Sequence, residues 1–317
     1  MAIGSLSLAV VKTGAQIQGI PLYKYIAVLT GREAPTQFHI PVSLVTLLSC
    51  GKTSPGKLNL LKEVILIPKM GQRVKQVITT DEPSVCSKAL QAIACDSGAL
   101  TVSYERPEQP LDLITEACRN LELTLGTDIH LAVNCAAPEL MDYTRGKYEV
   151  ATGVLKSPDE LVDMYQTLIC KYPAMVALID PFRREDTDQW EKLSKVTGHS
   201  CLLISDITYK SQAPPLPGVR GLILKHVNET TVSDLICISS KHKVLMGTTS
   251  SEPCNDDSLS DIAVGLGLDY VILGGLSGAQ RMLKYNRLIS IEEELAQQGI
   301  LGSVTSSDIC FSGVGNE

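Results

Sequence analysis

The feature that most constrains this chain is a series of short, continuous apolar runs rich in β-branched residues: Val42–Leu48, Val64–Ile67, Ile129–Asn134, Met175–Ile179, Cys201–Ile204, Leu222–Lys225, Val244–Gly247 and Tyr270–Leu273. A strand with one wet face alternates polar and apolar residues. Continuous runs mark strands covered on both faces, as in a parallel sheet wrapped in helices. From the third run onward amphipathic stretches fill the gaps. One follows Ser157-Pro158-Asp159-Glu160, where Ser157 caps a helix and Glu160 completes a reciprocal capping box. Others lie over Thr187–Val196, Thr231–Ser240 and Ser258–Leu266. Eight strands with interleaved helices predict an α/β fold closed as an eight-stranded β/α (TIM-like) barrel.

One interval breaks the pattern. Ser49–Glu63, rich in Gly, Ser, Thr and Pro, carries no helical periodicity, so the first two strands are expected to pair antiparallel. The long interval between strands two and three is expected to hold two helices, Ser84–Cys95 and Leu111–Leu123. Before the first strand, Ser5–Lys12 and Leu22–Leu29 read as two helices interrupted by Gly19-Ile20-Pro21, and Ser303–Glu317 reads as a loose tail.

Composition excludes several classes. A formal charge of −7 argues against an electrostatic grip on nucleic acid or on an anionic membrane. Apolar residues make up 44% and charged ones 20%, which is a globule's composition and not a disordered chain's. Aromatics are only 4%, so the core must be aliphatic. No apolar run reaches the length of a membrane span, and no cleavable leader is read at the N-terminus. The ten cysteines include no C-x-x-C pair, which predicts reduced thiols in a cytoplasmic protein with neither a disulfide frame nor a zinc site.

A β/α barrel meets its ligands at the C-terminal ends of its strands. The residues expected there are Glu63, Asn134, Asp180, Asp206 and Lys225. A lysine closing Gly-Leu-Ile-Leu near the barrel axis has the setting of a general base, although a strand-end lysine can equally reach solvent. Asp180 and Asp206 are candidate metal ligands or loop caps. Three weaker signals compete. Gly51-Lys52-Thr53 has the end of a phosphate loop but neither the earlier glycine nor a following helix. Asn228-Glu-Thr230 is a glycosylation sequon beside a strand. Gly274-Gly275 with Ser277-Gly278 could cradle a phosphate, although tight loop geometry is the favoured reading.

Several motifs resemble those of the enolase family. Lys62-Glu-Val-Ile-Leu-Ile-Pro68 resembles its Q-E-F-M-I-L-P strand, Ile179-Asp-Pro-Phe182 its E-D-P-F, and Leu222-Ile-Leu-Lys225 its L-L-L-K. Lys284-Tyr-Asn-Arg-Leu288 followed by Ile291-Glu-Glu-Glu-Leu295 resembles its last helix, and Ser5–Lys12 with Gly19–Lys24 the helices ending its N-terminal domain. The similarity is greatest to a divergent animal branch associated with the sperm flagellum. It implies a barrel of the enolase type over residues 34–300, the end of a truncated capping domain over 1–33, and a tail over 301–317. By resemblance the reaction is phosphopyruvate hydratase chemistry: 2-phosphoglycerate loses water to give phosphoenolpyruvate, two Mg²⁺ ions neutralise the doubly negative carboxylate that forms, and the enzyme forms oligomers with itself or another enolase.

Carried over position by position, Lys225 falls on the base, Glu63 on a substrate-contacting glutamate, and Glu105 on the proton-donating acid, although the two glycines after that acid have become Arg106-Pro107. The family's metal ligands are replaced by Asn134, Ile179 and Ser205, with Asp180 and Asp206 one residue further along. A one-residue slip is expected to turn a strand side chain away. Ser54 stands for the substrate-loop histidine, Thr249–Glu252 for the phosphate-binding H-R-S-G, and Ile272 for the second substrate lysine. Two readings follow: a weak hydratase, or a pseudoenzyme serving flagellar assembly.

Overall fold

The structure, a computed structural model, describes residues 3–31, 36–52, 54, 56–69, 71–81, 93–94, 98–206, 216–226, 230–248 and 256–302. Eight strands close into a barrel: β1 (Val42–Ser49), β2 (Glu63–Pro68), β3 (Ile129–Asn134), β4 (Met175–Ile179), β5 (Leu202–Ser205), β6 (Val219–Lys225), β7 (Val244–Gly247) and β8 (Tyr270–Gly274). Neighbours in sequence are neighbours in the ring, and β8 pairs with β1 to close it. The strand pairs are parallel except at β2, which runs antiparallel to both β1 and β3. The helix-free linker before β2 therefore had the expected consequence. Reversing β2 places its first residue, Glu63, at the end where the other strands finish.

The barrel interior is aliphatic. Leu44, Ile65, Ile67, Ala177, Ile204 and Leu245 belong to one buried cluster inside the ring. β-branched and γ-branched side chains fill such layers without aromatics. Outside the wall lie the helices: α1 (Ile3–Gln18), α2 (Leu22–Leu29), α3 (Val74–Asp81), α4 (Glu108–Asn120), α5 (Pro158–Lys171), α6 (Thr187–Thr197), α7 (Val232–Lys241), α8 (Ser258–Gly265) and α9 (Ala279–Gln297). Ser157 caps α5 with the complete reciprocal box, and Thr231 with Asp234 does the same for α7. Among the described residues no helix is long and apolar enough to cross a membrane.

Several local expectations are corrected. The helix predicted over 84–95 falls largely outside the described residues, and its described part, Ile93–Ala94, is a short strand. That strand pairs with Leu100–Thr101, which in turn pairs with the end of β1. α1 runs past Gly14 to Gln18, and the Tyr25 ring packs over that glycine in the space a side chain would need. A three-stranded sheet over Met141–Asp142, Lys147–Ala151 and Val154–Lys156 was not foreseen. The glycine loop after β8 is a close backbone contact, as favoured: a Cβ on Gly275 would stand 2.6 Å from the Ala99 nitrogen. Thr53, Thr249–Glu252 and Asn228 lie outside the described residues.

The second helix is locked to the barrel's shell by an ionic knot around the buried Asp261. Asp261 of α8 is 2% exposed and receives both arms of Arg287, at 2.7 and 2.8 Å, together with the backbone N–H of Tyr23. Tyr23, itself buried, donates its hydroxyl to Glu294 of α9 at 2.9 Å. Removing one member of a buried pair leaves the other charge uncompensated, a loss of about 3 kcal/mol or more. Asp261→Ala is expected to lower unfolding stability by that amount in urea titration, with an unchanged barrel far-ultraviolet signature below the transition. A loss below about 1 kcal/mol would mean that the knot is not holding α2.

Candidate active site at the barrel mouth

Strand register builds a row of side chains at the mouth. Ser49 pairs with Glu63, Glu63 with Asn134, Asn134 with Ile179, and Ile179 with Ile204. On the far side Lys225 pairs with Gly247, and Gly247 with Ile272. The structure thus brings Glu63, Asn134, Asp180, Asp206 and Lys225 to one rim, joined in two hydrogen-bonded groups.

The first group is neutral amide on carboxylate. The Asn134 side-chain N–H₂ donates to Glu63 at 2.9 Å, while its carbonyl accepts the Ala136 N–H at 3.1 Å. The second group is ionic. The Lys225 ammonium donates to Asp206 Oδ2, with side chains 24% and 16% exposed respectively. The other oxygen, Asp206 Oδ1, is buried and has no hydrogen-bond partner among the described residues. Asp180 Oδ1 accepts from the Ser205 hydroxyl and from the Asp206 N–H, both at 3.0 Å.

The expectation that a one-residue slip would carry a carboxylate away from the axis is overturned for Asp206, which reaches Lys225, while Asp180 turns to the Ser205 hydroxyl. In β5 Leu202 and Ile204 face the interior, so Asp206, just beyond the strand's end, continues that face. Ser205 is the residue turned from it. Asp180 departs from strand geometry altogether, with φ of 46° in the left-handed region that aspartate tolerates better than most side chains. Its backbone is held in place by an N–H donated to the Ile204 carbonyl and by a carbonyl accepting the Ala137 N–H. Burial is the main reason that Asp180 is pushed up to about 7, and the Asp206 charge adds to it. The Asp206 N–H, Ser205 and the Lys225 charge act in the opposite direction.

Glu105 is not part of these groups. Its side chain is 66% exposed and forms a 3.0 Å ion pair with the equally exposed Lys57, and its N–H is bonded to Gln109. Lys62, next to Glu63, is likewise engaged outward, with Glu139 at 2.6 Å. One residue that strand-end reading passed over is Gly247. A Cβ there would stand 2.7 Å from Ile223 Cγ2 and 3.5 Å from Lys225 Cε, so this glycine leaves room for the lysine stem. Its position opposite Lys225 was the available signal.

An eight-stranded barrel with a reversed second strand and a lysine closing the sixth can be compared with known proteins. Residues 37–307 match the family model described as "Enolase, C-terminal TIM barrel domain". The chain belongs to the enolase family. It is 49% identical over 318 residues to "Enolase 4" of Danio rerio, covering 95% of this chain and 54% of that protein. Identity is 44% to "Enolase 4" of Xenopus tropicalis, covering 97% and 57%, and 45% to that of Homo sapiens, covering 95% and 54%. The chain spans just over half the length of these relatives.

Enolases depend on Mg²⁺, so the donor set can be compared with what two hard cations need. Magnesium takes oxygen ligands in near-octahedral geometry. Ile179 offers no donor atom, Asn134 is uncharged with its oxygen on the Ala136 N–H, and Asp206 Oδ2 is on the Lys225 ammonium. Among the described residues no group of three or more His, Cys, Asp or Glu side chains is placed to hold a metal ion. Of Glu63, Asn134, Asp180 and Asp206, only Asp206 presents a buried oxygen, Oδ1, without a partner among the described residues, and this rim does not offer the side-chain donors of a two-magnesium centre of the enolase kind.

The raised Asp180 has a pH signature. Between its ordinary 3.8 and about 7 the folded chain holds a proton that the unfolded chain has released. Stability contributed by that proton is full at low pH and is lost as pH rises through this window. Asp180→Asn keeps the acceptor oxygen and removes the titration. It is expected to match the parent near pH 4 and to exceed it above pH 7 by about 1–3 kcal/mol in chemical denaturation. Parallel pH profiles for the two proteins would show that Asp180 titrates normally.

Proposed function

We propose that this chain is an enolase-type barrel directed toward the 2-phosphoglycerate to phosphoenolpyruvate dehydration, with turnover well below that of ordinary enolases. The observation that carries this reading is the Lys225–Asp206 contact on a rim where Ile179 and Asn134 stand. In the family's chemistry the lysine removes the proton beside the substrate carboxylate. Lys225 is on the strand end that suits it for that role, and Gly247 gives its stem space. Glu63, oriented by Asn134, is the proposed substrate-contacting glutamate. Glu105 is the proposed acid, and reaching the mouth would require its surface pair with Lys57 to open.

The weakness has an electrostatic cause. Proton removal beside a carboxylate creates a second negative charge, which must be met by fixed positive charge in a low-dielectric site. Glu63, Asp180 and Asp206 share this rim with Lys225, so carboxyls outnumber the ammonium. Each missing electrostatic stabiliser is worth about 2–4 kcal/mol of barrier, and such losses do not add simply. The same donor set supports a second reading, in which the barrel is an assembly component of the sperm flagellum and has no turnover. Under either reading α1 and α2 are proposed as the end of a capping domain, and an oligomer with another enolase is a proposed route to activity.

A coupled assay on the purified chain with millimolar Mg²⁺ tests the proposal. Expected is a rate at least about a hundredfold below ordinary enolase, abolished in Lys225→Ala. A rate within tenfold of ordinary enolase contradicts the charge argument, and a weak rate insensitive to Lys225→Ala removes the lysine from the chemistry.

A further inference from the structure

The chain beyond α9 is fixed beside the segment that leads into β1. Phe38 donates its N–H to the Ile300 carbonyl at 2.9 Å, and Gly302 donates to the Phe38 carbonyl at 2.7 Å. Phe38 and Leu301 therefore pair in parallel, just ahead of β1. Phe38 is buried, its ring set edge-on against Tyr23 at a centroid distance of 5.3 Å. Gly302 is thus held at a defined point on the end of the barrel opposite Lys225. Residues 303–317 continue from there, outside the described residues.

Leu301 and Gly302 also form part of the wall of a cavity of about 320 Å³, which opens between the start of β1, the end of β2, α3 and α9. Ile40, Val42, Pro68, Val74 and Val77 make the rest of that wall largely aliphatic. The volume lies at the lower end of the range for sites that take small organic groups, and it has room for a large side chain. Lys69 and Arg73 stand exposed at the edge. Glu292 is half-buried there, and its carboxylate already accepts the Val74 N–H.

The sequence that leaves this point matches the cavity. Ser303-Val-Thr-Ser-Ser-Asp-Ile-Cys-Phe-Ser-Gly-Val-Gly-Asn-Glu317 carries two acidic side chains and no basic one. Its longest apolar run is Ile309-Cys310-Phe311, directly after Asp308. The chain has three phenylalanines, and the other two, Phe38 and Phe182, are 8% and 0% exposed. Leaving the third in water would forgo the burial that a large apolar side chain gains. Reach is not limiting, because the extended chain from Gly302 to Ile309 covers about 24 Å. Covalent attachment at the rim also gives this segment a local concentration of the millimolar order, which a freely diffusing partner lacks.

We propose that Ser303–Glu317 folds back onto this end of the barrel and plugs the cavity. Ile309 and Phe311 meet the aliphatic wall, and Asp308 faces Lys69 and Arg73. The plug ties α3 to the wall, since Val74 and Val77 of that helix line the cavity. The docking surface thus serves residues of the same chain. It lies at the end remote from Lys225 and does not rest on the hydratase reading.

Hydrogen exchange on the full chain and on a variant ending at Gly302 tests this. The Val77 N–H, which donates to the Arg73 carbonyl at 3.1 Å, and the Val74 N–H report on the cavity. Both are expected to exchange about tenfold or more faster in the shortened variant, with the β6 amides unchanged. Phe311→Ser in the full chain is expected to reproduce that local loss, which separates an empty cavity from a general effect of shortening. A synthetic peptide of residues 303–317 is expected to restore protection to the shortened variant saturably, with a Kd of about 1 mM or below, and a Phe311→Ser peptide to fail. Arg73→Glu should weaken the peptide by about fivefold or more, and an Asp308→Lys peptide should recover part of that loss. Equal exchange in the full and shortened chains, or no saturable peptide binding in that range, overturns the proposal. Protection of the full chain that rises with protein concentration would assign the cavity to the tail of a second copy and likewise contradict it.

Discussion

Closure of the strand ring is the constraint from which the rest follows. Pairing β8 to β1 removes both sheet edges and forces every wall residue to face either the aliphatic interior or the helical shell. Charged side chains of the wall strands then gather at the two ends. Reversal of β2 decides which residues do so, because it delivers Glu63 to the same end as Asn134, Asp206 and Lys225. It also sends Pro68 and Lys69 to the opposite end, where the cavity bordered by Leu301 and Gly302 opens. Two distant features thus share one topological cause.

At the mouth, the Lys225–Asp206 contact organises the charges. It fixes the lysine by one carboxylate oxygen, and the Asp206 N–H fixes Asp180 in turn. Asp180, buried and beside a second carboxylate, responds by holding its proton more tightly. An enolase site works with opposite charge logic, supplying excess positive charge around a doubly negative intermediate. Here an ammonium is spread among carboxyls, and hydrocarbon stands where a ligand is needed. The proposed consequence is that the family's fold and lysine are retained in a setting that weakens the chemistry.

Much of this was legible in the residues. Continuous β-branched runs located all eight strands because each is buried on both faces, and the periodicity of a buried strand differs from that of a long helix. The helix-poor Ser49–Glu63 interval revealed the reversal of β2, and Ser157 with Glu160 marked a helix start through their reciprocal bonds. Other elements left weaker traces. α3 is short and built from Val, Ile and Thr, which mimic a strand. The Met141–Lys156 sheet is two tight reversals with little apolar pattern. The orientation of Asp180 and Asp206 depended on where each strand ends and on one left-handed residue, neither of which simple alternation encodes. The surface pairing of Glu105 with Lys57 joins two loops that are close only because the chain is folded.

On the proposed reading, the mouth's lysine and aspartates, together with Asn134 and Ile179, leave no place among the described residues for a pair of divalent ions. Anomalous diffraction from crystals soaked in Mn²⁺ with phosphoenolpyruvate examines that directly, since manganese replaces magnesium at oxygen sites and can be located by its own scattering. Expected is an intact Lys225–Asp206 contact and no pair of metal peaks at the rim. Two peaks bracketing the ligand's carboxylate, with Asp206 turned from Lys225 onto a metal, would contradict it.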